Sequence, residues 1–400
     1  MVMRKNLLIL AAVLAVSYSC SNDETVAVNQ SDAISFRSLV DGATRSTAGP
    51  MAGTSFAVGD VINVYADWYD ASATSHSKYF QADFTKQSTG GFTSSDKYYW
   101  PAFDTGDKMT FTAIYGGTQV DGTPGKVEAF SPEADAANQM DLMVARKELT
   151  AKESSVVLNF RHTLSQIVVQ VKNTNANLDF DITGVRIGYL NTTGEFNYDY
   201  NYSTSSADVG GQTTPQEATV DASSGNVTAG AALVKSTNWS RTDVTDANTN
   251  KYDQTLSKTL TGEQVATDLS SSGFAPWLLI PQTQTAFSAY AAATQGTASS
   301  TPTVNGAYIA MKMAIYNYNG SARSNRLVAE QWCYWPITVS WIPGYKYTYI
   351  VDLAGGGYQP INTTSAATTL EPVLGDVIVF SPDCTIDFWV TSATTDVAAP

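Results

Sequence analysis

Along this chain apolar residues alternate with polar ones far more often than they recur at three- or four-residue spacing. Successive side chains of an extended strand point to opposite faces, so the alternation predicts strands, and helical periodicity is nearly absent. β-Branched and aromatic residues fill the alternating runs at 34–36, 61–65, 109–115, 156–160, 167–171 and 185–190. The pattern returns at 277–280, 308–315, 345–353, 377–380 and 385–390. Gly, Asn, Asp and Ser bound these runs, as turns require. Short strands with frequent turn signals predict an all-β chain built of β-sandwiches. One short helical turn is expected at 134–138, ahead of Asp141.

Two polar stretches interrupt the alternation. Residues 203–256 are rich in Ser, Thr, Asn, Asp and Gly with single scattered apolar positions, and 292–306 is a shorter version. Such composition suits long surface loops or a hairpin extension better than core. A domain boundary fits best at 159–165, where two strong apolar segments almost abut. The expected organisation is a leader at 1–19, an N-terminal β-sandwich domain at 20–162, and a C-terminal β-sandwich domain at 163–400 that carries the 203–256 insertion.

The first residues bear on destination. Arg4 and Lys5 precede an apolar run at 7–16 that is too short to span a bilayer, and small residues then lead to Cys20. That layout reads as a secretory signal, with cleavage before Cys20 leaving a thiol for lipidation, as in bacterial lipoproteins. Tyr18 departs from the small residues usual at the cleavage box, and an ordinary signal peptide that happens to contain a cysteine is the alternative. The polar, acidic run Ser21, Asn22, Asp23, Glu24 resembles the surface-export signal of some Gram-negative lipoproteins, which favours the outer face of the outer membrane. Without Arg4 and Lys5, 21 basic residues face 37 acids, a net charge of about −16. So acidic a chain lacks the basic stripes that nucleic acid or an anionic bilayer surface would require. Hydrophobic residues at 43% and charged ones at 15% suffice for a folded core. Beyond Cys20 only Cys333 and Cys384 remain; two free, buried cysteines are expected, with a disulfide as the alternative.

Candidate chemistry is sparse. His76 and His162 are the only histidines, too few to build a transition-metal cluster with the cysteines. His162, between two strands and without a nucleophile motif, reads as a hydrogen-bonded structural residue. Gly355-Gly356-Gly357 has no following phosphate-loop Lys and reads as a turn. Asp179 and Asp181 open with calcium-loop spacing, but Leu190 stands where the bidentate Glu belongs. Acids are numerous, and nothing in the sequence singles out a pair for glycoside hydrolysis. No catalytic residue, metal site or cofactor is expected, and the chain is not read as an enzyme. Trp68, Tyr69, Tyr98, Tyr99 and Trp100, and the alternating Tyr198, Tyr200 and Tyr202, are candidates for stacking on sugars, against the plainer role of filling strand faces.

Six segments in order carry a family pattern. They are Phe56-x-x-Gly59-Asp60-x-Ile62-x-Val64-Tyr65, Tyr99-Trp100-Pro101, Phe111-x-Ala113-x-Tyr115, Asp141-Leu142-Met143, Leu158-x-Phe160-x-His162-x-Leu164-Ser165 and Trp277-Leu278-Leu279-Ile280-Pro281-Gln282. A late signature follows at Trp341-x-Pro343-Gly344-Tyr345-Lys346-Tyr347-Thr348-Tyr349. With these the chain resembles the fimbrillins, the type V pilins and pilin-like lipoproteins of Gram-negative anaerobes. The resemblance implies two transthyretin-like β-sandwich domains in tandem and assembly into a fimbrial polymer that supports cell adhesion. It implies that a protease cuts after an Arg following the first strand, and that the C-terminal segment of another subunit fills the opened groove.

Under that resemblance Ile34, Phe36, Leu39 and Val40 belong to the removable strand, and Arg45 is the candidate cut site. Val377, Val379, Ile386, Phe388 and Val390 are the candidate donor residues. The implied partners are other fimbrial subunits, a maturation protease, a host protein or glycan, and the membrane through the lipid on Cys20. A monomeric or tip-located surface adhesin is the alternative function.

Overall fold

The structure, a computed structural model, describes residues 33–40, 56–198, 219–220, 227–228, 234, 238–241, 250–287, 306–360, 370–374 and 382–388. Among them the chain is all-β, apart from two short 3-10 turns at Ala136–Asn138 and Ser270–Ser272. The first of these lies within the helical turn expected from sequence.

The N-terminal strands are β1 (Phe36–Val40), β2 (Val61–Asp70), β3 (Ser75–Lys86), β4 (Phe92–Thr93), β5 (Lys108–Tyr115), β6 (Lys126–Phe130), β7 (Met143–Leu149) and β8 (Val156–His162). All but β6 close into a barrel in the order β1-β4-β3-β2-β5-β7-β8. Sequence pattern predicts two facing sheets here, whereas the sheet closes on itself. The reason is β1, which runs parallel to β8 from Phe36↔Val156 to Val40↔Phe160 and meets β4 at Phe36↔Phe92. Some of the closing contacts are short: β4 joins β3 only at Thr85↔Thr93 and Lys86↔Phe92, and β7 joins β8 only at Met143↔His162 and Val144↔Arg161. Alternation then sorts the side chains. Val156, Leu158 and Phe160 of β8 face inward, with Val157, Asn159 and Arg161 between them half-buried. Phe36 lies at the centre of the barrel, edge-on to Phe84 at 4.8 Å and to Phe111 at 5.1 Å.

The chain passes from β8 to β9 (Ser165–Asn173) through two residues and continues with β10 (Leu178–Gly188), β11 (Gly194–Asn197), β12 (Thr219–Val220), β13 (Val227–Thr228) and β14 (Trp239–Arg241). Next come β15 (Lys251–Thr261), β16 (Gln264–Asp268), β17 (Trp277–Leu279), β18 (Thr283–Gln284), β19 (Tyr308–Tyr318) and β20 (Arg323–Pro336). The last are β21 (Val339–Ser340), β22 (Tyr345–Asp352), β23 (Tyr358–Pro360), β24 (Leu370–Pro372) and β25 (Asp383–Phe388). Six strands form one sheet, β15-β10-β19-β20-β23-β24, and a second runs β16-β9-β22-β25 with β17 beside β9. The two share one core, in which Ile167, Val169 and Val171 of β9 meet Met311, Met313 and Ile315 of β19 and Tyr347 and Tyr349 of β22. β9 shows the cause plainly, since every odd-numbered residue from 165 to 173 is buried and every even one half-exposed.

Two features depart from simple inside–outside alternation. β20 buries Cys333 and Trp335 in the main core, while Trp332 and Tyr334 pack on the opposite face against Phe287, Tyr308 and Tyr358. A small sheet, β14-β11-β6, joins strands from both sides of residue 162.

Phe36→Ala is expected to lower the stability of the barrel by about 3–5 kcal/mol, through lost burial and the cavity left behind. Denaturant unfolding followed by tryptophan fluorescence measures it. A loss below about 1 kcal/mol, the scale of an ordinary substitution, would mean that β1 is not part of the barrel core.

Candidate assembly site at the first and last strands

β1 is seated by backbone and side chain together. The Ile34 amide donates to the Tyr98 carbonyl at 2.7 Å, and the Val156 amide donates to the Ser35 carbonyl at 2.8 Å. Ile34 and Phe36, two of the predicted strand residues, are buried in the barrel. Leu39 and Val40 follow in β1 opposite Asn159 and Phe160. Phe36, Leu39 and Val40 thus lie on one strand whose neighbours are β8 and β4, with Ile34 two residues ahead of it. Arg45 and Cys20 lie outside the described residues.

The C-terminal segment is held differently. β25 pairs antiparallel with β22, from Tyr345↔Phe388 to Ile350↔Asp383, at the end of its sheet. Asp383, Cys384 and Thr385 are exposed, and Ile386 is only partly buried against the main core. Lys172 Nζ lies 3.5 Å from Asp383 Oδ2, an exposed pair of the kind that adds little stability. Of the predicted donor residues, Ile386 and Phe388 fall in β25, while Val377, Val379 and Val390 lie outside the described residues. Cys333 and Cys384 are both free. Only Cys333 is buried, and burial pushes its thiol up to about 12, which keeps it an unreactive thiol. Cys384 is exposed, contrary to the sequence expectation of two buried cysteines.

Between these ends lies a buried polar junction. His162 Nδ1 donates to Asp141 Oδ2 at 2.5 Å, with both side chains almost wholly out of solvent. The next residue, Thr163, sends its amide and its Oγ1 to the Leu142 carbonyl at 2.9 and 2.8 Å. The Gly344 amide reaches the Leu164 carbonyl at 2.8 Å, and Ser165 Oγ reaches the Ile342 carbonyl at 2.8 Å. Gly116 is needed beside this junction: its φ is +79°, and a Cβ there would stand 1.9 Å from the Asp141 carbonyl oxygen. His162 therefore has the structural place expected of it, with Asp141 a partner that sequence spacing did not reveal.

Other candidates resolve into structural roles. Asp179 and Asp181 are occupied by Arg323, whose Nε donates to Asp179 at 3.2 Å and whose Nη2 donates to Asp181 Oδ1 at 3.0 Å. The Arg323 hydrogen bonds hold the Asp181 carboxyl below the usual carboxylate range. Among the described residues no group of three or more His, Cys, Asp or Glu is placed to hold a metal ion. The triple glycine is a turn, closed by the Gly356 amide on the Leu353 carbonyl at 2.8 Å. Trp100 is buried in the barrel, Tyr98 stacks on Phe80 at 4.2 Å, and Trp68 packs edge-on to Phe103 at 5.0 Å. Tyr198 packs against the apolar seam between barrel and second body, and Tyr200 and Tyr202 lie outside the described residues.

A barrel closed by its first strand, a two-sheet body and a polar junction at Asp141 and His162 make up the described all-β chain. A family model described as fimbrillin-like matches residues 44–372, and the chain belongs to that family. Solved structures that it resembles include a fimbrial protein from Bacteroides vulgatus ATCC 8482, at 11% identity over 89% of this chain and 99% of that one, with a TM-score of 0.46. A candidate cell adhesion protein from Bacteroides ovatus ATCC 8483 is 13% identical over 90% of this chain and 99% of that one, with a TM-score of 0.45. A fimbrial assembly protein from Parabacteroides distasonis ATCC 8503 is 9% identical over 89% and 98%, with a TM-score of 0.35. No curated protein matches the chain. No helix among the described residues is long and apolar enough to cross a membrane.

His162→Ala is expected to cost about 1–3 kcal/mol, because it leaves the buried Asp141 carboxylate without its donor. Equilibrium unfolding of the variant measures this, and Asp141→Ala paired with it in a double-mutant cycle isolates the shared interaction. Additive losses in the cycle would show that the two side chains act separately.

Proposed function

We propose that this chain is a subunit of a cell-surface fimbria that serves adhesion, with a structural and not a catalytic role. Family membership supports the general reading. The observation that carries the assembly step is β1 with its lead-in residues, which together supply Ile34 and Phe36 to the barrel core yet are joined along the chain to the other barrel strands only through residues 41–55, the segment that contains Arg45. Cutting after Arg45 would leave β1 held by non-covalent contacts alone. Burial of each such side chain is worth roughly 1.5–3 kcal/mol, so loss of these two costs roughly 3–6 kcal/mol and opens the edges of β8 and β4. An open barrel of that kind is too weakly stable to persist alone in water. A strand from another copy would restore both the ladder and the core, as in β-strand addition. The donor in this reading is the C-terminal segment, Val377 to Val390, whose described strand β25 lies at the end of its sheet. The contact is head-to-tail and does not close on itself, so it propagates as a filament.

The same reading includes two tandem transthyretin-like domains dividing near residue 162 and a lipid on Cys20 that holds the subunit at the outer membrane. Its partners are other subunits, a maturation protease and a host protein or glycan as the adhesion target. A monomeric or tip-located adhesin is the second reading, and the pairing of β25 with β22 of its own chain favours it.

Two outcomes follow. Limited trypsin treatment of the purified precursor is expected to cut after Arg45 and convert a soluble monomer into ordered multimers, seen by sizing and electron microscopy. A stable cleaved monomer would overturn strand exchange and leave the adhesin. Separately, Cys20→Ser is expected to move the precursor out of the membrane fraction with loss of lipid label. Unchanged membrane association would sink the lipoprotein reading.

A further inference from the structure

The polar stretch 203–256 reads from sequence as surface loop, yet the described part of it reaches the middle of the molecule. β14 pairs with β11 through Gly194↔Arg241, Glu195↔Ser240 and Phe196↔Trp239. β11 in turn pairs with β6, through Gly194↔Phe130, Phe196↔Val127 and Asn197↔Lys126. β6 lies in the chain between barrel strands β5 and β7, whereas β11 and β14 follow the junction, so this small sheet crosses from one body to the other. Trp239 is its anchor. Its ring is buried, 5.2 Å from Phe196 and 5.7 Å from Phe130, and its Nε1 donates to the Thr163 carbonyl at 2.8 Å. Arg241 Nη1 donates to the Pro281 carbonyl at 2.5 Å, and Asn238 Nδ2 to the Asn197 carbonyl at 2.9 Å. Behind the sheet, Ile114, Leu142 and Val144 of the barrel wall share one apolar cluster with Leu164, Leu278 and Ile280.

From this arrangement we infer that the insertion is a brace. β14 clamps the barrel to the two-sheet body and makes them one mechanical and cooperative unit. An apolar seam alone permits sliding, because the hydrophobic effect has no direction. A sheet that crosses the seam fixes register residue by residue, and the Trp239–Thr163 hydrogen bond pins it to the two-residue link between β8 and β9. The gripped wall is β5 and β7, with β6 beside it. The barrel order places β1 between β4 and β8, so the brace supports the barrel at strands that β1 does not touch. The inference stands whether or not strand exchange occurs, because it concerns the intact chain.

Hydrogen exchange of the full chain across a denaturant series tests it, with barrel peptides covering 108–115 and 143–149 and a peptide covering 308–318 for the second body. In the unsubstituted chain the two bodies should open at one midpoint. Trp239→Ala should lower the barrel midpoint alone and speed exchange of the barrel amides by about tenfold or more, the scale of a lost buried hydrogen bond with part of a ring's packing. Trp239→Phe, which keeps an apolar ring and loses the donor, should separate the midpoints by less and remain informative if the alanine variant does not fold. Midpoints already separate in the unsubstituted chain, or still coincident in the variants that fold, would overturn the brace.

Discussion

An unpaired strand edge is a row of amides and carbonyls that must find partners or stay in water, and the placing of those edges governs this molecule. The barrel closes on itself while β1 is in position. The second body, by contrast, ends its sheets on β15, β24, β16 and β25 among the described strands. The contrast is sharpened by how each terminal strand is held. β1 drives a phenylalanine into the centre of an aromatic core, whereas β25 pairs with β22 at the end of its sheet and sets the partly buried Ile386 against the main core.

The junction links these two ends into one object. Only Thr163 and Leu164 separate the last barrel strand from the first strand of the next body, so every polar group there must be satisfied within a few residues. Asp141, Leu142, Ile342 and Gly344 do so from both sides, and Trp239 arrives from a distant insertion to take the remaining carbonyl. Buried polar networks of this sort favour one arrangement over many. The family motifs around 141–143 and 158–165 are legible as the sequence record of that geometry.

Strands whose one face enters a core were readable from alternation alone. The runs at 156–160 and 167–171 both fall within observed strands, because burial on one side forces a period of two. β3 and β15 escaped for the opposite reason. β3 buries only Phe80 and Phe84 along twelve residues, and β15 buries Tyr252, Leu256 and Leu260, a spacing of four that leaves little two-residue signal. β14 was hidden in a stretch whose composition says loop. The closing of the barrel had no local signature at all, since β1 finds β8 some 120 positions away and only the folded sheet declares the pairing. Ile34 and Phe36 could be marked as apolar strand residues, whereas their partners could not.

The separation between β1 and β8 also sets an order of events. As the chain is synthesised, Phe36 emerges long before Val156, and the parallel ladder between them cannot form until β8 is made. Non-local pairing of this kind carries its loop-closure cost before any contact repays it. Closure of the barrel thus waits on β8, the last of its strands to be made. Until then the first described strand has only its pairing with β4, at Phe36↔Phe92, to hold it in the sheet.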